Sequence, residues 1–181
     1  MTIHRSHPFE PAREDRDALR RFRGRLASGV TLWTAGSGPE PAGGAWAGLT
    51  VSSMMVAAGE PARVLALLDP DSDVVGVLRD TGVATVQVLA WSHRQLAEMF
   101  AGTAPAPGGA FTHAGFEQTP WGPGLVDAPA RLGVRLESER EVGWSVEVTC
   151  VVEHAEVSDA DLGDEPLVHQ RGRWWRIGTG A

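Results

Sequence analysis

The sequence predicts a mostly β domain with short helices, closed into a small barrel rather than spread as a doubly wound sheet. Two observations carry that reading. Short apolar or alternating runs, punctuated by Gly and Pro, recur along most of the chain. Three short helical runs are inserted among them without regular β–α alternation. With 181 residues, 43% of them hydrophobic, the chain suits one domain with a sizeable core. No repeat and no interdomain linker divides it. Residues 1–13 are expected to form a flexible arm and residues 14–181 a single domain.

Composition removes several function classes. The formal charge is −7, which disfavours nucleic acid as a partner. All 16 basic residues are arginine, and lysine, asparagine and tyrosine are absent, a bias typical of a GC-rich bacterial coding sequence. No lysine nucleophile, lysine Schiff base or catalytic tyrosine is therefore available. No apolar run reaches bilayer length and the N-terminus lacks a signal-peptide core, so a cytoplasmic location with no membrane contact is expected. The lone Cys150 excludes an internal disulfide.

Taken in order, Asp15 to Ala27 reads as a helix with Leu19, Phe22 and Leu26 on one face and Gly29 as its stop. Val30 to Thr34 reads as a strand, and residues 35–44 as a Gly/Pro-rich turn. The stretch Ala45 to Met55 runs as a strand into the paired hydroxyls Ser52 and Ser53. Gly48 within it permits close approach of a backbone or ligand. Taken alone, the two serines read as a strand ending in a turn. Val64 to Leu68 is continuous enough for a strand buried on both faces. Asp71 or Ser72 then caps a helix through Leu78 that ends at Gly82. Val83 to Leu89 is a strand, and Ser92 with Gln95 forms a capping box for a helix through Phe100. Residues 103–124 form a long irregular loop, functional or dimer-covering, with Phe111, Phe116 and Trp121. Two alternating strands follow, with Leu132, Val134 and Leu136 on one face of the first and Val146, Val148 and Cys150 on one face of the second. A hairpin around Arg171–Gly172 closes the chain.

Most isolated chemical signals have simpler structural readings. Gly36-Ser-Gly-Pro39 lacks the third glycine and the helix of a dinucleotide fingerprint. Asp69 to Asp73 opens like a calcium loop, but Val74 and Asp80 stand where glycine and glutamate belong, and a helix start accounts for the acids. The six histidines show no metal spacing and most read as scattered surface or loop positions, so no metal site is expected. Cys150 reads as a small core residue, and the tryptophans as core or interface aromatics.

The motifs nevertheless fall in a recognisable order. Phe22-Arg-Gly-Arg-Leu-Ala-Ser-Gly-Val-Thr, Gly48-Leu-Thr-Val-Ser-Ser-Met, Glu60-Pro-Ala-Arg-Val-Leu-Ala-Leu-Leu-Asp, Leu96-Ala-Glu-Met-Phe-Ala, Phe111, Trp121-Gly-Pro-Gly-Leu and Pro166-Leu-Val together resemble the flavin reductase-like family. The resemblance runs from about Phe22 to Ile177. It implies a Greek-key split β-barrel of the FMN-binding type, a homodimer, FMN or FAD as the flavin, and NADH or NADPH as hydride donor. It also implies delivery of reduced flavin to a partner oxygenase. By the same resemblance, flavin contacts fall to Gly48, Leu49, Thr50, Val51, Ser52, Ser53, Asp69, Ser72 and Phe100, with Ser72 at the phosphate.

Two departures bear on activity. Many members carry Gly-Asp-His before the long final strand, with the histidine linked to nicotinamide binding; here the residues are Val142-Gly-Trp144. No catalytic residue is carried over, and Trp144 offers a ring for stacking instead. In addition, Asp71 and Asp73 flank Ser72, so a phosphate there calls for Arg63 or another arginine nearby. The expected function is NAD(P)H-dependent flavin reduction. The alternatives are a flavin-binding barrel without reductase activity and a barrel that has lost flavin.

Overall fold

The computed structural model describes residues 13–38, 46–158 and 165–178. Apart from Arg13, the expected arm lies outside the described residues, as does most of the turn at 35–44. The elements are α1 (Arg13–Arg23), β1 (Ser28–Gly29), β2 (Thr31–Gly36), β3 (Trp46–Val51), β4 (Met54–Ala57), β5 (Arg63–Leu68), α2 (Asp73–Thr81) and β6 (Val83–Val88). Then follow α3 (Arg94–Phe100), β7 (Phe116–Thr119), β8 (Gly122–Leu125), β9 (Ala130–Val142), β10 (Ser145–Val157), β11 (Leu167–Gln170) and β12 (Arg173–Arg176).

Seven strands form one antiparallel sheet in the order β3-β2-β6-β9-β10-β5-β4. Its two edge strands, β3 and β4, are joined by Ser52 and Ser53 alone. Laid flat, those edges would stand about 29 Å apart, at roughly 4.8 Å per strand spacing. Two linking residues span at most about 11 Å. The sheet must therefore curl until its edges nearly meet, which is the split barrel expected from the sequence.

One core fills the barrel, where Trp33, Val51, Leu68, Val134, Val148 and Cys150 pack with Val74, Val75 and Leu78 of α2. A second lies outside the sheet, where Leu32 and Leu89 meet Leu96, Ala97 and Phe100 of α3 and Leu125 of β8. β10 alternates as its sequence predicts, with Val146, Val148 and Cys150 buried. In the closing hairpin, Arg171 and Gly172 both take positive φ, 55° and 71°, as a tight two-residue turn between paired strands requires.

Four expectations need correction. β5 is buried on one face only, and Leu67 on the other is 40% exposed, because among the described residues no layer covers that face. The helical run starts earlier than Ser92: the Ala90 amide donates to His93 Nδ1 (3.1 Å), opening a short 3-10 turn, Trp91–His93, that runs into α3. The first helix ends at Arg23 rather than Ala27 and its apolar face is open, with Leu19 and Phe22 on α1 and Leu26 just beyond it all more than half exposed. The loop at 103–124 carries a 3-10 turn, Ala110–His113, and the strands β7 and β8, which pair as a hairpin.

That hairpin is latched to the barrel by a buried polar network. Gln87 Nε2 donates to Thr34 Oγ1 (2.8 Å), the Leu125 amide donates to Gln87 Oε1, and Thr34 Oγ1 donates to the Pro123 carbonyl. Gln87 and Thr34 are fully buried, so each bond also removes a desolvation cost. Beneath it, Trp121 lies over Gly133, where a Cβ would fall 2.1 Å from the indole.

Candidate functional site

The serine pair divides into two roles. Ser53 is fixed to β5 at both its groups: its hydroxyl donates to the Leu67 carbonyl (2.7 Å) and its own carbonyl accepts from the Leu67 amide (3.0 Å). Ser52 is half-buried, and its hydroxyl has no hydrogen-bond partner among the described residues.

Pairing of Met54 with Ala66 puts Ser52 level with Leu68, and Leu68 in turn pairs with Val146. One step further along these strands lie Asp69 and Ser145, and one beyond that Pro70 and Trp144. At a rise of about 3.3 Å per residue and two strand spacings, Trp144 stands on the order of 12 Å from Ser52. Register thus gathers Ser52, the Asp69–Ser72 turn and Trp144 at one end of the barrel. Trp144 occupies the tip of the β9–β10 hairpin beside Gly143 (φ 61°), and at 76% exposure it is among the most open apolar side chains described.

The side chains of residues 48–51 are taken up by the protein. Leu49 and Val51 face the barrel core. Thr50 Oγ1 donates to the Ala97 carbonyl of α3 (2.8 Å). Phe100 fills the space left by Gly48, edge-on to Phe111 at 4.9 Å. Phe100 is therefore a core partner of Gly48 in the free chain. Because β3 is an edge strand, a ligand meets this segment through backbone groups and Ser52.

The Asp69–Ser72 turn is closed internally. The Asp71 amide donates to Asp69 Oδ1 (3.0 Å), while the Ser72 hydroxyl donates to the Asp69 carbonyl (2.6 Å). Ser72 sits at the N-cap of α2 but contributes no side-chain cap, which leaves early amides of that helix available to an anion. Arg63 does not serve this turn. It lies at the far end of β5, about 20 Å away at the strand rise, and it grips Glu137 through two 2.7 Å contacts. That pairing raises the Arg63 pKa and holds the Glu137 carboxyl low. Arg79 is likewise turned to Glu139.

The other candidates disperse. Cys150 is fully buried and its thiol is pushed up to about 12, chiefly by burial, which removes it as a nucleophile near neutral pH. His154 stacks on Trp121 at 5.1 Å, and His169 lies edge-on to Trp174. His93 is buried, an exception to the surface or loop placement read for most of the histidines; its Nε2 stands 3.3 Å from Asp127 at a cleft of about 280 Å³. The only advance sign was the apolar run before it. A second cleft, about 250 Å³, lies beside Trp121. Neither cleft includes Ser52, Ser72 or Trp144. Trp33 is core, whereas Trp144 and Trp175 are exposed. Among the described residues no three His, Cys, Asp or Glu side chains are grouped to hold a metal, and no helix is long and apolar enough to cross a membrane.

The barrel end thus offers a free hydroxyl, strand-edge groups, helix amides and an open indole, without an acid–base pair. Such a place holds and orients a ligand that brings its own reactivity.

The chain is similar to known proteins over most of its length. The flavin reductase like domain model matches residues 23–178. FMN reductase (NADH) RutF 2 of Methylorubrum extorquens (strain PA1) is 30% identical over 175 residues, covering 93% of this chain and 92% of its own. Among solved structures, the NADH:FAD oxidoreductase SgcE6 of Streptomyces globisporus C-1027, with NAD and FAD fragments, superposes with a TM-score of 0.78 at 23% identity, over 97% of this chain and 99% of its own. The styrene monooxygenase flavin reductase SMOB of Pseudomonas putida S12 gives 0.75 at 19% identity, over 90% and 99%.

Proposed function

Because the chain belongs to the flavin reductase like domain family, we propose that it is an NAD(P)H-dependent reductase of FMN or FAD. In this reading it works in the cytoplasm as a homodimer and passes reduced flavin to a partner oxygenase. The observation that carries the reading is the register that brings Ser52, the Asp69–Ser72 turn and Trp144 to one barrel end. The residues there suit a flavin. Ser52 gives a hydroxyl without a protein partner, and the uncapped start of α2 gives amides for a phosphate.

The bound flavin would supply hydride acceptance. Ser52 and the edge groups of β3 would bind and orient its polar margin, the α2 amides would hold the phosphate, and Trp144 would stack on the nicotinamide of the donor and exclude water. Asp71 and Asp73 remain turned to solvent. NADH is the favoured donor, since the names of both the RutF 2 relative and SgcE6 specify it. Those names divide between FMN and FAD.

The test is anaerobic mixing of the purified protein with FMN or FAD and then NADH, followed by flavin absorbance. Bleaching at a rate proportional to protein is expected. A protein that binds flavin but leaves it oxidised would favour the second reading, a carrier or accessory subunit, for which Trp144 in place of the histidine is the motivating observation. Failure to bind flavin at all would exclude both.

A further inference from the structure

Arginine is distributed unequally between pairing partners. On the sheet and α2, Arg63, Arg79, Arg131, Arg135 and Arg140 each hold a glutamate. At the corner formed by α1 and the β11–β12 hairpin, Arg20, Arg21, Arg23, Arg25, Arg171 and Arg173 have no carboxylate partner among the described residues; Arg176 alone pairs, with Glu165. Residues 18–26 and 165–178 carry seven of the 16 arginines and one of the 23 acids, a charge of +6 in a chain of −7. The remainder of the chain is therefore at −13.

The corner is continuous. The Arg171 amide donates to the Gly24 carbonyl (2.9 Å), and Gln170 Nε2 donates to the Arg25 carbonyl (3.1 Å). Apolar side chains stand open among the arginines: Leu19 at 65% exposure, Phe22 at 63%, Leu26 at 54%, Ile177 at 57% and Trp175 at 49%.

We infer that this corner docks a protein whose surface presents carboxylates around an apolar centre. Arginine and aromatic residues set together, without internal carboxylates, match the composition of interface anchors. Unpaired guanidinium groups are ready for bidentate contact with Asp or Glu of another chain. Corner-to-corner self-pairing would set +6 against +6 and is disfavoured. An anionic bilayer fits less well, because its extended negative plane would also face the remainder of the chain at −13. Nothing in this surface depends on flavin chemistry.

The probe is a fluorescein-labelled peptide of Glu-Leu-Glu-Glu-Phe repeats, followed by anisotropy at about 50 mM salt, where surface charge is weakly screened. The full-length protein should bind it, and Arg20→Glu/Arg23→Glu/Arg173→Glu should weaken binding about tenfold or more. Phe22→Ser/Leu26→Ser should weaken it several-fold, whereas Arg140→Ala should not. NADH-dependent flavin turnover, or flavin binding if the protein does not turn over, should be unchanged in all of these variants. If the charge reversal fails to fold, glutamine at the same three positions carries the comparison. Equal binding by wild type and the arginine variants would overturn the inference. So would preference for phosphatidylserine vesicles over the peptide, or loss of self-association as the main effect of the arginine changes.

Discussion

Gly48 and Phe100 compete for one space: a Cβ on residue 48 would lie 2.5 Å from Cε1 of Phe100. Phe100 has little room to yield, being buried and edge-on to Phe111 and Phe116. Gly48→Ala should therefore cost about 1–3 kcal/mol through overpacking. Urea unfolding measures this, and an unchanged midpoint would show that the ring moves freely.

The two seam serines should separate in effect. Ser53→Ala removes a bond to the Leu67 carbonyl and should lower stability by about 1 kcal/mol. Ser52→Ala should leave stability unchanged and weaken flavin binding by about 0.5–1.5 kcal/mol. Flavin titration beside thermal melts distinguishes them, and equal effects at both positions would contradict the division.

Trp144→Ala should change stability by no more than about 0.5 kcal/mol, since the side chain is 76% exposed. Loss of stacking worth about 0.5–1.5 kcal/mol should raise the KM for NADH severalfold, with Trp144→Phe recovering most of it. Steady-state kinetics with an unaltered KM in Trp144→Ala would remove the indole from the site.

His169 gives the fold an acid sensitivity. Burial first, then the nearby Arg23 charge, holds its pKa below the ordinary 6.5, so the unfolded chain binds this proton more tightly. The contribution is complete above 6.5 and is lost as pH falls from there toward the lower folded value. Urea midpoints at about pH 7.5 and about pH 5.5 should show a smaller acid loss in His169→Gln than in wild type. Identical losses would exonerate His169.

The edge strand β4 presents Met55 at 69% and Val56 at 60% exposure beside Leu67. An open apolar edge of this kind invites a second copy. Sedimentation should give a dimer for wild type and a lighter species for Met55→Asp. An unshifted Met55→Asp dimer would place the contact elsewhere.

Legibility in the sequence followed the range of the forces involved. Strand alternation in Val146, Val148 and Cys150, the Gly82 stop and the Arg171–Gly172 turn are local, and each was readable from neighbouring residues. The exposure of Leu67 is not legible, because an apolar run does not reveal whether a second layer covers it. The β8 segment Gly122-Pro-Gly-Leu125 has poor strand propensity; Gln87 and Thr34, distant in sequence, bond it in place. His93 was hidden because the amide it accepts belongs to Ala90, which carries no capping side chain. The site residues were nameable through family resemblance, but the contrast between Ser52 and Ser53 depends on Leu67, which only the folded chain brings near.

The Ser52–Ser53 link also limits how this protein can change in length. A loop at a hairpin tip absorbs added residues, whereas a two-residue tie between opposite sheet edges has no slack. One inserted residue would advance β4 by half a pleat, turning the core-packed Met54 outward and the exposed Met55 inward along the whole strand. Natural variation in length should therefore gather at the tip of β9–β10 and spare the seam, whatever the identity of the residues in it.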